Sequence, residues 1–167
     1  MIASIHRATP APPKLAAYNE RIPYLIGAIS NLLSSRSSRF YQRAFGIGLG
    51  EMRLIWVMSY VPSLTVQRAA QIMGIDKGAT SRSVAALVRR KLVRASVDKT
   101  DNRRRTIVFT EAGKTFCDRI MIVSAERERW LSNIFTPDEL VVLRELLNRL
   151  LVSAREVSEH DPPPKAR

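Results

Sequence analysis

Hydrophobic positions recur at spacings of three and four through most of this chain. Over residues 21–43, Ile22, Leu25, Ile26, Ile29, Leu32 and Leu33 fall on one face, which predicts a first amphipathic helix. The run Gly46-Ile47-Gly48-Leu49-Gly50 breaks it. Residues 51–61 predict a second helix, with Met52, Ile55, Trp56 and Ser59 along one side and Pro62 at its end. A shorter third helix is expected to Met73, capped by Thr65 and ended by Gly74, which tolerates the left-handed conformation. Asp76 can cap a fourth, whose inner face centres on Val84 with Thr80, Leu87 and Val88 beside it. Alternation then replaces helical spacing. Ala95 and Val97 alternate with Arg94 and Ser96, and Ile107 and Phe109 with Thr106 and Val108, which predicts two short strands. Thr110 caps a long fifth helix to about residue 135, with Phe116, Ile120, Val123, Trp130 and Ile134 near one stripe and an exposed charged middle at 126–129. Thr136, Pro137 and Glu139 form a helix start: cap, proline at the first position, glutamate at the third. The last helix carries Leu140, Leu143, Leu146, Leu147, Leu150 and Leu151 on more than one stripe, which calls for a packing partner. The expected fold is mainly α with a small β-hairpin.

Charge changes the picture from fold to partner. The 167 residues carry a net charge of +12, with a pI of about 10.8, and are 46% hydrophobic, as a folded chain with a real core is. A balance this basic points to nucleic acid or an acidic membrane surface. Residues 76–105 hold ten Lys or Arg against three Asp, a balance of +7, so more than half of the excess lies on the fourth helix and the hairpin. A membrane-surface helix would instead mix its cations with a continuous apolar stripe. No apolar run approaches the ~20 residues of a membrane span, and residues 1–14 lack an apolar signal core. The single cysteine excludes an internal disulfide. These absences fit a cytoplasmic protein.

The third and fourth helices, joined through Gly74, make a helix-turn-helix whose second member reads DNA. Its outer face holds Gly78, Ala79, Arg82, Ala86 and Arg89. Small side chains allow close approach to a major groove, and arginine offers a planar fork to a guanine edge. Arg82 is the expected base contact, helped by Thr80, Ser81, Gly78 and Ala79, with Arg89 and Lys77 on phosphates. The hairpin tip, Asp98-Lys99-Thr100-Asp101-Asn102-Arg103-Arg104-Arg105, forms a basic wing able to reach phosphates or a minor groove.

Helix-turn-helix plus wing resembles the MarR family of winged-helix transcription regulators. Asp98, Asp101, Arg103, Ile107, Phe109, Thr110 and Gly113 stand at the spacings of that family's wing pattern. Lys99 replaces a common proline, Asn102 a common basic residue, and Lys91 a common glycine, so the reading helix must end without its usual glycine. The resemblance implies a winged helix-turn-helix core at about residues 49–110 and dimerisation helices at about 21–43 and 110–156. It implies a homodimer on double-stranded DNA, on a pseudo-palindromic operator with half-sites about one turn, ~10 bp, apart. Arg103 would enter the minor groove, oriented by Asp101, with Arg104 or Arg105 nearby. It further implies a repressor released by a small molecule, in a pocket lined here by Arg36, Met52, Arg53, Trp56 and Tyr60. Such walls suit an aromatic carboxylate or its coenzyme A thioester; they equally suit core plus a solvated arginine.

Other chemistry finds little purchase. His6 and His160 fall in stretches read as tails, no metal-ligand spacing or nucleophile elbow occurs, and no cofactor is expected. The glycine run follows a helix, not the strand that a nucleotide fingerprint needs, so it reads as a turn. Cys117 beside Phe116 reads as a small buried hydrophobe, with a thiol sensor as the alternative. Residues 1–20 read as an arm, hugging a partner or DNA or simply mobile, and 157–167 as an unstructured tail. The rival function is a sequence-indifferent nucleic-acid-binding or architectural protein.

Overall fold

The computed structural model describes Tyr18, residues 20–97 and residues 105–160. Most of the stretch read as an N-terminal arm, residues 161–167 of the tail, and the wing positions Asp101, Arg103 and Arg104 lie outside the described residues. Among the described residues the order is α1 (Ile22–Phe45), α2 (Leu49–Tyr60), α3 (Val66–Met73), α4 (Lys77–Arg89), β1 (Val93–Val97), β2 (Arg105–Phe109), α5 (Glu111–Ser132) and α6 (Pro137–His160). The chain is mainly helical with a two-stranded antiparallel hairpin, as its pattern predicts. No helix of the described residues is long and apolar enough to cross a membrane.

Two boundaries differ from expectation by three residues or more. α5 stops at Ser132, three residues early. Thr136 precedes a proline and must leave the helical region. There it serves as the cap of α6: its amide donates to Glu139 Oε2 at 2.8 Å, and Glu139 N donates to Thr136 Oγ1 at 3.3 Å. The Thr136 amide, then its hydroxyl, hold the exposed Glu139 carboxyl below its ordinary pKa. α6 runs on to His160, four residues into the stretch read as tail, because no helix breaker occurs before Pro162.

The chain divides into two compact units between Cys117 and Asp118. In the first, α2 is the hub. The pattern placed Met52 and Ile55 inward; Leu54 and Met58 are buried as well, so α2 is enclosed on more than one side. Burying side chains of that size contributes about 1.5–3 kcal/mol each. The glycine run is a turn, as read. Gly46 takes φ 66° and ends α1, Ile47 is buried, and Gly48 starts α2 with its amide held by Glu51 Oε2 at 3.3 Å. Cys117 is buried, in keeping with the hydrophobe reading. In the second unit, the exposed Arg144 and Glu128 lie 3.9 Å apart, an ion pair of small consequence.

One sheet contact was not legible. Leu64 forms an isolated bridge with Ile107, whose amide donates to Leu64 O at 2.9 Å. A single residue of edge strand carries no alternation, so the pattern cannot announce it.

Candidate nucleic-acid interface

The helix-turn-helix is built from local chemistry at each end. Thr65 Oγ1 accepts from Arg68 N at 3.1 Å and starts α3. Gly74 takes φ 65°, and the amides of Gly74 and Ile75 donate back to Gln71 and Ala70 carbonyls, closing α3. Two residues later Asp76 Oδ1 accepts from Ala79 N at 2.8 Å and starts α4. Ala69 and Ala70 are buried, so the two helices approach closely.

The reading helix is rotated from its expected face. Its packed stripe runs through Thr80, Ser83 and Leu87, with Val84 half-buried. Val88, placed inward by its periodicity, is 43% exposed, whereas Ala79 and Ala86, placed outward, are half-buried. The cause is a contact between small residues. A Cβ on Gly50 of α2 would lie 2.5 Å from Ser83 Oγ. Closest approach therefore centres on Ser83, which hydrophobicity does not mark.

Thr80, which faces inward as its periodicity predicts, is corrected as a DNA contact. It is 0% exposed, and its hydroxyl donates to Asp76 O at 3.0 Å. Lys77, Gly78, Ser81, Arg82 and Arg89 are exposed, and Ala85 and Val88 join them. The Arg82 guanidinium folds back over Gly78, 3.6 Å from where a Cβ on that residue would stand. Arg105 lies in β2, paired with Val97. The exposed stripe thus combines three cations with small and apolar side chains, which suits a groove lined by phosphates and base edges.

α4 ends without glycine, as its sequence requires. Lys91 takes φ 59°, Lys91 N donates to Val88 O at 2.8 Å, and Leu92 N donates to Leu87 O at 3.0 Å. A side chain in this conformation costs about 1–2 kcal/mol, of which glycine returns part to unfolded-state entropy. Lys91→Gly is expected to raise stability by about 1 kcal/mol and Tm by about 2–4 °C. A thermal melt that shows a lower Tm would refute the strain.

Of the pocket candidates, Arg36 is exposed, Trp56 half-buried and Tyr60 79% exposed at the end of α2. Arg53 Nη2 donates to Ser34 Oγ of α1 at 3.1 Å. Met52 is 2% exposed and belongs to the packed core.

Arg90 escaped sequence reasoning, which counted it only as basic density. Its Nη1 donates to Gly46 O at 2.8 Å and its Nη2 to Phe45 O at 3.0 Å, while its Cζ lies 5.2 Å from the Phe116 ring centroid. Backbone carbonyls 44 and 45 residues away leave no sequence signal.

Comparison with known proteins agrees with this architecture. A family model described as the MarR family matches residues 45–104. The chain is similar to a MarR/EmrR family transcriptional regulator from Acinetobacter sp. ADP1, with 30% identity and a TM-score of 0.76, covering 87% of this chain and 99% of that one. The HTH-type transcriptional regulator TcaR of Staphylococcus aureus is 22% identical over 134 residues, 78% of this chain and 87% of that protein. The S. aureus MepR–DNA complex shares the fold, with a TM-score of 0.69 at 20% identity, over 80% of this chain and 96% of that one. With its helix-turn-helix and hairpin in place and these relatives beside it, the chain belongs to the MarR family of transcriptional regulators.

Proposed function

We propose that this protein binds double-stranded DNA sequence-specifically, as a cytoplasmic homodimer on a pseudo-palindromic operator. The observation that carries the reading is the exposed face of α4, where Lys77, Arg82 and Arg89 flank Gly78, Ser81 and Ala85. The arginine forks suit guanine edges and phosphates, and Ala85 and Val88 suit thymine methyl groups. Exposed apolar side chains support the dimer: Ile22, Ile29 and Leu32 on α1, and separately Val142, Leu146, Leu147 and Leu151 on α6. Wing residues Arg103, Arg104 and Arg105 add contacts beside the major groove, with Asp101 orienting Arg103.

The regulator acts as a repressor that a small molecule releases. Such a ligand must bind the released state better than the DNA-bound one. Arg36, Arg53, Trp56 and Tyr60 supply cationic and aromatic groups suited to an aromatic carboxylate or its coenzyme A thioester. Calorimetry with a panel of such compounds tests this part, and no heat from any member would count against it.

Footprinting on the DNA flanking the protein's own gene, followed by random-site selection, tests the main reading. A protected near-palindrome is the expected result. Protection without sequence preference in either experiment would leave a sequence-indifferent binder. On the selected site, Arg82→Ala is expected to cost roughly 1–3 kcal/mol and to relax preference at one base position. An equal loss on all sequences would make Arg82 a phosphate contact instead.

A further inference from the structure

The end of the reading helix is fastened on two sides. On one side, the Arg90 guanidinium takes the Phe45 and Gly46 carbonyls at the C-terminus of α1 and lies by Phe116, which packs edge-on against Phe45 with centroids 5.8 Å apart. Those carbonyls lie where a helix has spent its own donors and carries partial negative charge. A planar fork of donors fits two adjacent carbonyls in a way an ammonium does not. On the other side, Thr110 Oγ1 donates to Lys91 O at 2.7 Å and Thr110 N to Leu92 O at 3.0 Å, tying the same helix end to the start of α5.

We propose that Arg90 is a positioning residue for DNA recognition. Its two-carbonyl hold on α1 transmits the orientation of that helix to α4, and so sets the half-site spacing that the dimer accepts. This rests on the operator-binding homodimer proposed above. Arg90 is not a phosphate contact in this account, because its guanidinium is engaged by the α1 carbonyls and the Phe116 ring.

The test is fluorescence anisotropy on the operator chosen by random-site selection, and on versions with one base pair added or removed between half-sites. Wild type is compared with Arg90→Lys, Arg90→Gln and Phe116→Leu, and circular dichroism reports the fold of each. The expected result is a loss of discrimination among spacings of about fivefold or more in all three variants. Affinity for unrelated DNA should be unchanged in Arg90→Lys and Phe116→Leu, which keep the charge. A purely structural role would lower Tm while leaving the wild-type spacing preference, and that result overturns the proposal. So does a loss equal on all DNA that lysine restores, which marks a phosphate contact. A wild type that selects no site overturns the operator reading and this inference together. A selected site whose spacing preference survives in the variants overturns this inference alone.

Discussion

Replacing Gly113 by alanine is expected to destabilise the winged-helix unit by about 3 kcal/mol or more and to lower Tm by about 10 °C. A Cβ built on Gly113 would stand 1.8 Å from the Leu92 carbonyl oxygen and 2.9 Å from its carbon. The obstacle is backbone, so no rotamer change relieves it. Nor is the carbonyl free to move, since Leu92 O accepts from Thr110 N at 3.0 Å and from Thr110 Oγ1 at 3.3 Å. Gly113 N itself donates to Thr110 Oγ1 at 3.0 Å in the first turn of α5. Shifting α5 to admit one methyl therefore disturbs the helix cap and the end of the reading helix together. Gly27→Ala is the matched control. That glycine lies inside α1, and nothing stands within 4 Å of its added Cβ. Alanine there should stabilise by up to about 1 kcal/mol. Thermal melts of the two variants should move in opposite directions, and a Gly113→Ala melt at the wild-type temperature would refute the close approach.

Gly113 also shows which parts of this structure its sequence announces. It is legible as a position in a wing pattern, while the reason for it, a carbonyl 21 residues earlier in the chain, appears only in three dimensions. Features that depend on near neighbours were readable. Thr65 and Asp76 each accept the amide three residues on, and Gly74 ends the helix that stops at Met73. Lys91 falls in the same class: it stands where a glycine is common at the end of the reading helix, and it takes the left-handed φ of 59° that a glycine would favour. What depends on distant small residues was not readable. The reading helix turns on the contact of Ser83 with Gly50, and neither residue contributes to an apolar stripe. The rotation exposes Val88 and half-buries Ala79 and Ala86, so the set of side chains available to DNA changes although the helix does not. Arg90 is the extreme case, because a cation counted toward an electrostatic surface is held on carbonyls of another helix.

Placing glutamate at both Leu147 and Leu151 is expected to convert the proposed dimer to monomers and to abolish operator binding at ordinary protein concentrations. Each of these leucines is 50% exposed on α6, and they stand four residues apart on one face. Two-fold symmetry would present each substitution twice, so four half-covered leucines leave the interface. Finishing the burial of half a leucine contributes roughly 0.7–1.5 kcal/mol, so their loss costs about 3–6 kcal/mol. That weakens dimerisation roughly 10²–10⁴-fold before the cost of burying carboxylates is added. A monomer carries one reading helix and one wing, and gives up the second half-site. It should keep weak, strongly salt-dependent affinity for any DNA, because the α4 cations remain. Sedimentation at several concentrations checks the first expectation and anisotropy on the operator the second. A variant that still sediments as a dimer would place the interface elsewhere. One that sediments as a monomer yet binds the operator with full affinity would show that a single protomer suffices for recognition.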